Sequence, residues 1–238
     1  MAQEYGPKVV TDGLILCLDA ADKNSYPGSG TTWSDLSGNG FNATLSAAAI
    51  GTDIPGSMDF NGSDEYATLN GLATSIVDEM AWSVSIWFKG DGTTEGYINA
   101  SCMFSAHDSG GGNIIRLGLD RVVDSEGIFY SDPGSSDIQL GSTNWNDQLY
   151  HHLVITRPAG DGGQTVTAYV DGVSVGTNGS ADFSGNVTAQ VSIAMEYDGG
   201  SKSDYHGGEV NIVMFYNKAL SAKEVSQNFN AHRSRFSV

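Results

Sequence analysis

The stretch that decides the fold is 164–175, which reads QTVTAYVDGVSV. Apolar and polar side chains alternate from Val166 to Val170, which is the two-residue period of a half-buried β-strand. Asp171 and Gly172 interrupt this pattern before it resumes, and an Asp-Gly pair between alternating segments suits the type I′ turn of a β-hairpin. The stretch therefore predicts two antiparallel strands joined by a two-residue turn.

The same two-residue period recurs along most of the chain. In 82–89, WSVSIWFK, Trp82, Val84, Ile86 and Phe88 alternate with the residues between them. The 31 glycines among 238 residues supply frequent turns, and 39% hydrophobic residues suffice for a large core. Many short strands at such spacing are typical of a β-sandwich or barrel. The further predicted strands are 14–18, 57–60, 97–104, 114–119, 127–130, 151–156, 191–195 and 209–216.

One helix is predicted, near the C-terminus. Ser221 and Glu224 form a capping box, and Leu220 and Val225 are placed to make the hydrophobic staple that accompanies it. The sequence therefore predicts a single short helix at about 222–231.

The composition excludes several classes of partner. The formal charge of −17, from 28 acidic and 11 basic residues, opposes binding to nucleic-acid phosphates and to anionic membranes.

The N-terminus has no basic region followed by a long apolar run, so we expect a soluble protein made in the cytoplasm. No linker or repeat divides the chain, which predicts one domain, 1–238, with short arms at 1–10 and 232–238.

The sequence contains no recognisable catalytic motif. His151 and His152 are adjacent on a predicted strand and point to opposite faces, so they cannot jointly chelate one metal. The glycine-rich stretch 109–113 lacks the lysine of a phosphate-binding loop. Cys17 and Cys102 lie in apolar stretches, and the sequence leaves open whether they form a disulfide. We therefore predict no catalytic residues.

Five motifs, taken in order, resemble a known family. They are GLILCLDAADKNSYPGSGTTWSDLSGNGFNATL at 13–45, MDFNGSDEYATL at 58–69, WSVSIWFKG at 82–90, AYVDGVSVG at 168–176 and EVNIVMFYNKALSAKEVSQNFNAHRSRF at 209–236. Together they resemble laminin-G-like domains of the concanavalin A-like lectin/glucanase superfamily. The resemblance implies an all-β fold, an antiparallel jelly-roll β-sandwich with one short C-terminal helix.

Some members of this superfamily are glucanases, and the resemblance raises the question of activity. Laminarinase-type members carry Glu-x-Asp-x-(x)-Glu on one strand, which supplies both the nucleophile and the acid/base. The corresponding stretch 209–213, EVNIV, keeps only Glu209. One carboxylate cannot fill both roles, so we expect a non-enzymatic module. Glycoside hydrolysis of the laminarinase type remains the alternative.

The resemblance also implies a calcium site, because family members often hold calcium between loops at the rim of the sandwich. Carboxylate and amide oxygens suit this ion. The candidate ligands are Asp35, Asn39 and Asp64, and no other cofactor is predicted. In the alternative interpretation, Asp35 and Asn39 only bond the backbone of their own turn.

A lectin function needs exposed aromatic rings with polar groups nearby. Trp145, Tyr197, Tyr205 and His206 lie in polar, glycine-rich loops and are the candidate glycan-binding residues. In the alternative interpretation, each ring instead fixes its own loop.

The opening and closing motifs resemble those of virion proteins of tailed phages, which implies a capsid decoration protein, or secondly a tail or fibre component. The partners would be a major capsid or tail protein, further copies of this chain and host-surface glycans, and the location would be the virion. Arg233, Arg235 and Phe236 are the candidate assembly contacts. A lectin or adhesion domain outside a virion is the alternative.

Overall fold

The computed structural model is a sandwich of two antiparallel sheets. It describes residues 7–47, 56–93, 101–110, 112–119, 127–131, 138–141, 143–181, 185–198 and 200–238. Sheet I has seven strands. Six of them lie in the order β1 (Leu14–Asp19), β17 (Gly207–Tyr216), β6 (Trp82–Gly90), β11 (Tyr150–Arg157), β12 (Gln164–Val170) and β13 (Val173–Ala181), and β4 (Met58–Asn61) also pairs with β17.

Sheet II packs against sheet I and has eight strands. Their order is β10 (Ile138–Gln139), β9 (Ile128–Ser131), β8 (Asn113–Leu119), β7 (Ser101–His107), β14 (Gln190–Ile193), β5 (Ala67–Thr68), β3 (Ala43–Leu45) and β2 (Thr32–Trp33). A separate hairpin joins β15 (Glu196–Asp198) to β16 (Ser201–Ser203), and the two helices are α1 (Asn70–Ala73) and α2 (Ala222–Phe236). The predicted all-β antiparallel sandwich with a C-terminal helix is confirmed.

The predicted alternation in β6 divides its side chains between two apolar clusters. Trp82, Val84, Ile86 and Phe88 lie in the core between the sheets. Trp87 points to the other side of sheet I and belongs to a second cluster beneath helix α2. Because successive side chains of a strand point to opposite faces, one strand serves both clusters.

The hairpin of 164–175 has the predicted turn. Asp171 and Gly172 have φ angles of 51° and 81°, and a type I′ turn requires positive φ at both central residues. Val170 pairs with Val173 across the turn. The Asp171 carboxylate also accepts hydrogen bonds from the backbone N–H of His152, at 2.9 Å, which ties the turn to the neighbouring strand.

The shortest elements escaped sequence analysis. Strands β2, β3, β5 and β10 have two or three residues, too few to show a period. The one-turn helix α1 was likewise unpredicted. Predicted strand 97–104 is observed as β7, and its first four residues lie outside the described residues. Predicted strand 191–195 ends at Ile193, where Ala194 takes a positive φ of 63°.

The capping box of helix α2 is present as predicted. The Ser221 side chain accepts from the backbone N–H of Glu224, and the Glu224 carboxylate accepts from the backbone N–H of Ser221 at 2.8 Å. Leu220 and Val225 are buried in the same cluster. The helix continues to Phe236, five residues beyond the predicted end.

Both expected arms require correction where they are described. Residues 232–236 complete helix α2 and do not form an arm, because the Phe236 ring stacks on Trp87 with centroids 4.2 Å apart. Residues 1–6 of the N-terminal arm lie outside the described residues. Val10 is docked on the helix, since its N–H donates to Asn228 Oδ1 at 2.8 Å.

Two further features concern the whole chain. Cys17 and Cys102 are both free thiols, and Cys102 is buried. Burial raises the pKa of Cys17 to about 12, so this thiol stays protonated and unreactive at neutral pH. Over the ranges that the structure describes, no helix has the length and apolar character needed to span a membrane.

The contact between Phe236 and Trp87 leads to a prediction about stability. Phe236→Ala removes a ring that is 4% exposed and leaves a cavity against Trp87. We expect the free energy of unfolding to fall by about 3 kcal/mol. Lys223→Ala, in the exposed first turn of the same helix, is the control and should change it by less than about 0.5 kcal/mol. Urea unfolding followed by tryptophan fluorescence measures both, and equal effects would contradict the docking of the helix.

Candidate functional site

The outer face of sheet II carries a row of polar side chains. In β14, Val191 and Ile193 point into the core and Ser192 between them points outward. The other strands repeat this arrangement, and the strand register makes the outward residues direct neighbours across the sheet. From one edge to the other the row is Thr32, Thr44, Thr68, Ser192, Ser105, Arg116 and Ser131.

The β15–β16 hairpin covers one half of this row. Ser105 and Ser192 are buried, and Ser105 donates a hydrogen bond to the Met195 carbonyl, just before β15, at 2.8 Å. Thr32 and Thr44 remain exposed at the other end. The hairpin therefore divides the outer face of sheet II into a covered part and an open part.

The hairpin is held by Arg116, which projects from β8. Its Nε lies 2.6 Å from Glu196 Oε2, and its Nη2 pairs with Asp204 Oδ2. All three side chains are at most 10% exposed. The guanidinium carbon also lies 4.8 Å from the centroid of the Phe129 ring. Two carboxylates from the two ends of the hairpin thus share one cation of the sheet below.

Among the residues that the structure describes, two carboxylates face one guanidinium here. Burial and the neighbouring Glu196 raise the pKa of Asp204 to about 6, although Arg116 acts in the opposite direction. Asp204 therefore loses its proton as the pH rises through about 6, while its side chain contacts Arg116 and holds the hairpin in place.

Beside the hairpin, three side chains form a partly exposed cluster. The rings of Tyr66 and Tyr205 are tilted by 46° with centroids 6.4 Å apart. Lys202 Nζ lies 4.2 Å from the Tyr66 ring centroid and donates a hydrogen bond to the Tyr66 hydroxyl, which raises the pKa of Lys202. Tyr197 pairs with Lys202 across the hairpin. We call Tyr66, Tyr197, Lys202 and Tyr205 the tyrosine surface.

The four predicted glycan-binding residues do not form one group. Tyr197 and Tyr205 both belong to the tyrosine surface. His206 is 0% exposed, and its Nδ1 lies 2.7 Å from Ser101 Oγ, so it is not available to a ligand. Trp145 packs edge-on against His151, with centroids 4.9 Å apart, which matches the alternative that its ring fixes a loop.

Sequence analysis missed Tyr66 and Lys202. Tyr66 precedes Ala67 and Thr68 in a two-residue strand, and the alternation about the buried Ala67 indicates an outward Tyr66. Nothing in the sequence around Lys202 places it over this ring, because a register between two sheets is a tertiary property.

The predicted calcium ligand Asp35 is engaged by its own turn. Its Oδ1 accepts from the backbone N–H of Cys17 at 2.9 Å and of Ser37 at 2.8 Å. Its Oδ2 accepts from the Ser37 hydroxyl at 2.7 Å and from the Phe41 N–H at 3.1 Å. Three of these bonds lie within the turn, as the turn interpretation expects, and the bond from Cys17 joins the turn to strand β1.

The other two predicted ligands also form hydrogen bonds within the chain. Asn39 Nδ2 donates to the Ile15 carbonyl at 3.1 Å. Asp64 Oδ1 accepts from Asn61 Nδ2 at 2.8 Å, within a turn that follows β4. Over the described ranges, no three His, Cys, Asp or Glu side chains are grouped so that they could hold a metal ion. Asp64 bonds within its own turn, whereas Asp35 and Asn39 also fasten their turn to strand β1.

Glu209 lies on the outer face of sheet I, away from the tyrosine surface. Lys89 Nζ is 3.2 Å from its Oε1, and the Tyr150 hydroxyl donates to its Oε2 at 3.0 Å. The second acid of the glucanase motif is absent from its strand, where Asn211 is buried.

Two of the three predicted assembly residues bind within the chain. Arg235 Nη1 pairs with Asp19 at 2.7 Å, and Phe236 stacks on Trp87. The expectation that these two side chains reach a neighbouring subunit is therefore corrected. Arg233 remains exposed, with its guanidinium carbon 5.9 Å from the Phe229 ring centroid.

Comparison with known proteins gives a family and a set of similar structures. Residues 61–226 match a family model, Laminin_G_3, described as the concanavalin A-like lectin/glucanases superfamily. No curated protein matches the chain. A Trypanosoma rangeli sialidase mutant with trans-sialidase activity is similar in fold, with a TM-score of 0.68 and 18% identity over 96% of this chain. This chain spans only 34% of that sialidase.

Two other similar structures contain sugars. Domain 4 of a Geobacillus stearothermophilus arabinanase, in complex with arabinotriose, has a TM-score of 0.62 and 19% identity, covering 91% of this chain and 98% of that one. The binding domain of Botulinum neurotoxin DC, in complex with SialylT, has a TM-score of 0.62 and 16% identity, covering 93% and 52%. At these identities the likeness shows the fold, which is concanavalin A-like.

The charge imbalance at Arg116 predicts a pH-dependent stability. The pKa of Asp204 in the folded protein, about 6, lies above its ordinary value of 3.8, so the folded state binds the proton more tightly. The stability due to protonation is complete below 3.8 and is lost as the pH rises through 6. Asp204→Asn, a neutral mimic of the protonated acid, should therefore raise the melting temperature above pH 6 and lose this advantage near pH 4.

Thermal unfolding of the parent and of Asp204→Asn, in steps between about pH 4 and about pH 7.5, measures this difference. A difference that does not change with pH would show that Asp204 does not titrate in this window.

Proposed function

The chain belongs to the concanavalin A-like lectin/glucanase superfamily, and we propose that it is a non-enzymatic carbohydrate-binding module that uses the tyrosine surface. Similar structures that contain arabinotriose, sialic acid or SialylT support a sugar ligand. Because these structures share only 16–19% sequence identity with this chain, the residues of the tyrosine surface, and not the likeness in fold, determine which sugar is bound.

The observation that carries the proposal is the arrangement of Tyr66, Lys202 and Tyr205. Tyrosine rings present an apolar face with a polar edge, which suits the two kinds of surface on a sugar ring. The ammonium of Lys202 holds the Tyr66 ring and supplies a further hydrogen-bond donor. Thr44 and Thr68 belong to the row of polar side chains on the outer face of sheet II, and their hydroxyl groups add hydrogen-bond donors and acceptors nearby.

A binding role fits the state of Glu209 better than catalysis does. Both of its carboxylate oxygens accept from neighbouring side chains, one from Lys89 and the other from Tyr150. A retaining glycosidase needs a nucleophile and a separate acid/base on the two sides of the scissile bond. Here the contacts of Glu209 are those of a residue that joins three strands.

We further propose that the module is displayed on the virion of a tailed phage, as a capsid decoration protein or as part of a tail or fibre. The order of its opening and closing motifs supports this context, and the charge of −17 opposes nucleic acid as the partner. The partners would be a major capsid or tail protein, in many copies, and host-surface glycans. Arg233 is an exposed cation in the last turn of the C-terminal helix and could face an acidic neighbour.

The tyrosine surface predicts the effect of a single substitution. Tyr205→Ala should weaken binding to the strongest oligosaccharide on a glycan array about tenfold, because a central aromatic contact is removed. Leu149→Ala, which truncates an apolar side chain 60% exposed elsewhere, is the matched control and should leave binding unchanged. Calorimetric titration measures both. Equal affinities for Tyr205→Ala and the parent would exclude this surface, and an array without any bound sugar would refute the module.

The virion proposal has its own test. Mass spectrometry of purified particles from the source phage should detect the chain in many copies, and immunogold labelling should place it on the outside. Complete absence from purified particles would overturn the virion role and leave the lectin alternative.

A further inference from the structure

The edge strands of the two sheets differ in how well their free edges are protected. An edge strand presents unpaired N–H and C=O groups, to which a further strand can bind. In sheet II the edge strands β10 and β2 have only two residues each. In sheet I, β4 has four residues and carries Asp59. Short or charged edges of this kind are poor templates for another strand.

The edge of β1 is capped by the turn that contains Asp35. The Cys17 N–H donates to Asp35 Oδ1 at 2.9 Å, and the Leu36 N–H donates to the Cys17 carbonyl at 2.7 Å. The Ser37 hydroxyl donates to the Ile15 carbonyl at 3.0 Å. The turn therefore takes the place of a neighbouring strand on this side of sheet I.

Strand β13, at the opposite edge of sheet I, is neither short, nor charged, nor capped by such a turn. Its nine residues, VSVGTNGSA, include no charged side chain and no proline. Over the described ranges, no backbone hydrogen bond joins another loop to its outer edge. Val173, Ser174 and Thr177 are exposed, Val173 to 66%. The register shifts between β13 and β12 lie on either side of Thr177, so the centre of the strand is regularly paired.

The residues after β10 lie against this strand without covering its edge. Gly176 pairs with Ala168, whose side chain lies in the core between the sheets. A Cβ on Gly176 would therefore point toward the core, where it would lie 2.8 Å from the carbonyl carbon of Leu140. Leu140 thus packs on the inner face of β13, and the lateral edge is not occupied by it.

The charge distribution favours this edge as a contact between identical copies. The chain has a formal charge of −17, so two copies repel each other over most of their surfaces. Within 164–181, which comprises β12, β13 and their turn, the only charged residue is Asp171. Its carboxylate is already bonded to His151 Nδ1, at 2.8 Å, and to the N–H of His152. Two copies can therefore approach through β13 without bringing carboxylates face to face.

We propose that β13 pairs with β13 of a second copy of this chain, antiparallel and about a two-fold axis, so that the two copies of sheet I join into one continuous sheet. Residue 177 is the centre of 173–181, so full overlap of the strands places Thr177 opposite its own counterpart. An isologous contact of this kind closes at a dimer and does not continue into a fibre. Because the tyrosine surface lies on sheet II, this inference does not depend on the proposed function.

Sedimentation equilibrium of the full chain, between about 1 and about 300 µM, measures the dimer. We expect a Kd in the micromolar range, because one pair of strands buries less than the ~1,200 Å² of a stable interface. Raising the salt from about 20 to about 300 mM should strengthen the dimer about threefold, since it screens the repulsion between two acidic copies. In hydrogen exchange, the backbone N–H groups of β13 should be better protected at the high protein concentration than at the low one.

Two variants separate the strand edge from general charge effects. Thr177→Glu should weaken the dimer about tenfold, because it places like charges directly opposite each other on the paired strands. Thr165→Glu adds the same charge at an exposed position of β12, which is paired on both sides, and should change the Kd less than about twofold. Both positions are exposed, so both variants should melt close to the parent.

Four results would overturn the inference. A monomer at every concentration, with fast exchange in β13, would show that the edge stays unpaired. A monomer with a protected β13 would show that the chain covers its own edge. Equal losses in Thr177→Glu and Thr165→Glu would reduce the effect to net charge. A dimer that ignores Thr177→Glu, or that salt weakens, would place the contact elsewhere. None of these results bears on sugar binding at Tyr205, so a failure here is distinguishable from a failure of the proposed function.

Discussion

The two sheets bury their outer faces to different extents, and this difference decides where a ligand can bind. Sheet I has a core on one side and helix α2 on the other, where Trp87 lies under Phe229 and Phe236. Outside this covered area, the face stays open near Asp59 and at the β12–β13 edge, where Thr165 and Thr177 are exposed. Sheet II packs its inner face into the core, and the β15–β16 hairpin covers one half of the polar row on its outer face. The other half, with Thr32 and Thr44, stays exposed.

The position of the β15–β16 hairpin follows from one cation. Arg116 is the only charged member of the polar row on sheet II and pairs with Glu196 and Asp204 at the two ends of the hairpin. A buried pair needs good geometry to offset desolvation, and here Ser203 also donates to Glu196 at 3.1 Å. The hairpin in turn carries Tyr197 and Lys202. The part of the tyrosine surface that the hairpin carries thus lies above a buried ion pair.

Local patterns were predicted well because they depend on neighbours in the chain. The type I′ turn at Asp171 and Gly172 and the capping box at Ser221 each require only a few adjacent residues. The end of helix α2 was predicted five residues too early, because what extends it is the stacking of Phe236 on Trp87 from a distant strand. The same contact turned an expected assembly residue into part of the core.

The sequence by itself determined the period of the strands, the turn and cap chemistry, and the net charge, and with them the all-β class. Only the tertiary structure decided which polar residues meet. Tyr66 and Lys202 are 136 positions apart and share a hydrogen bond, and Asp59 and Glu209 lie opposite each other across two strands. The physical reason is that strand register and sheet order place side chains beside each other independently of their separation along the chain.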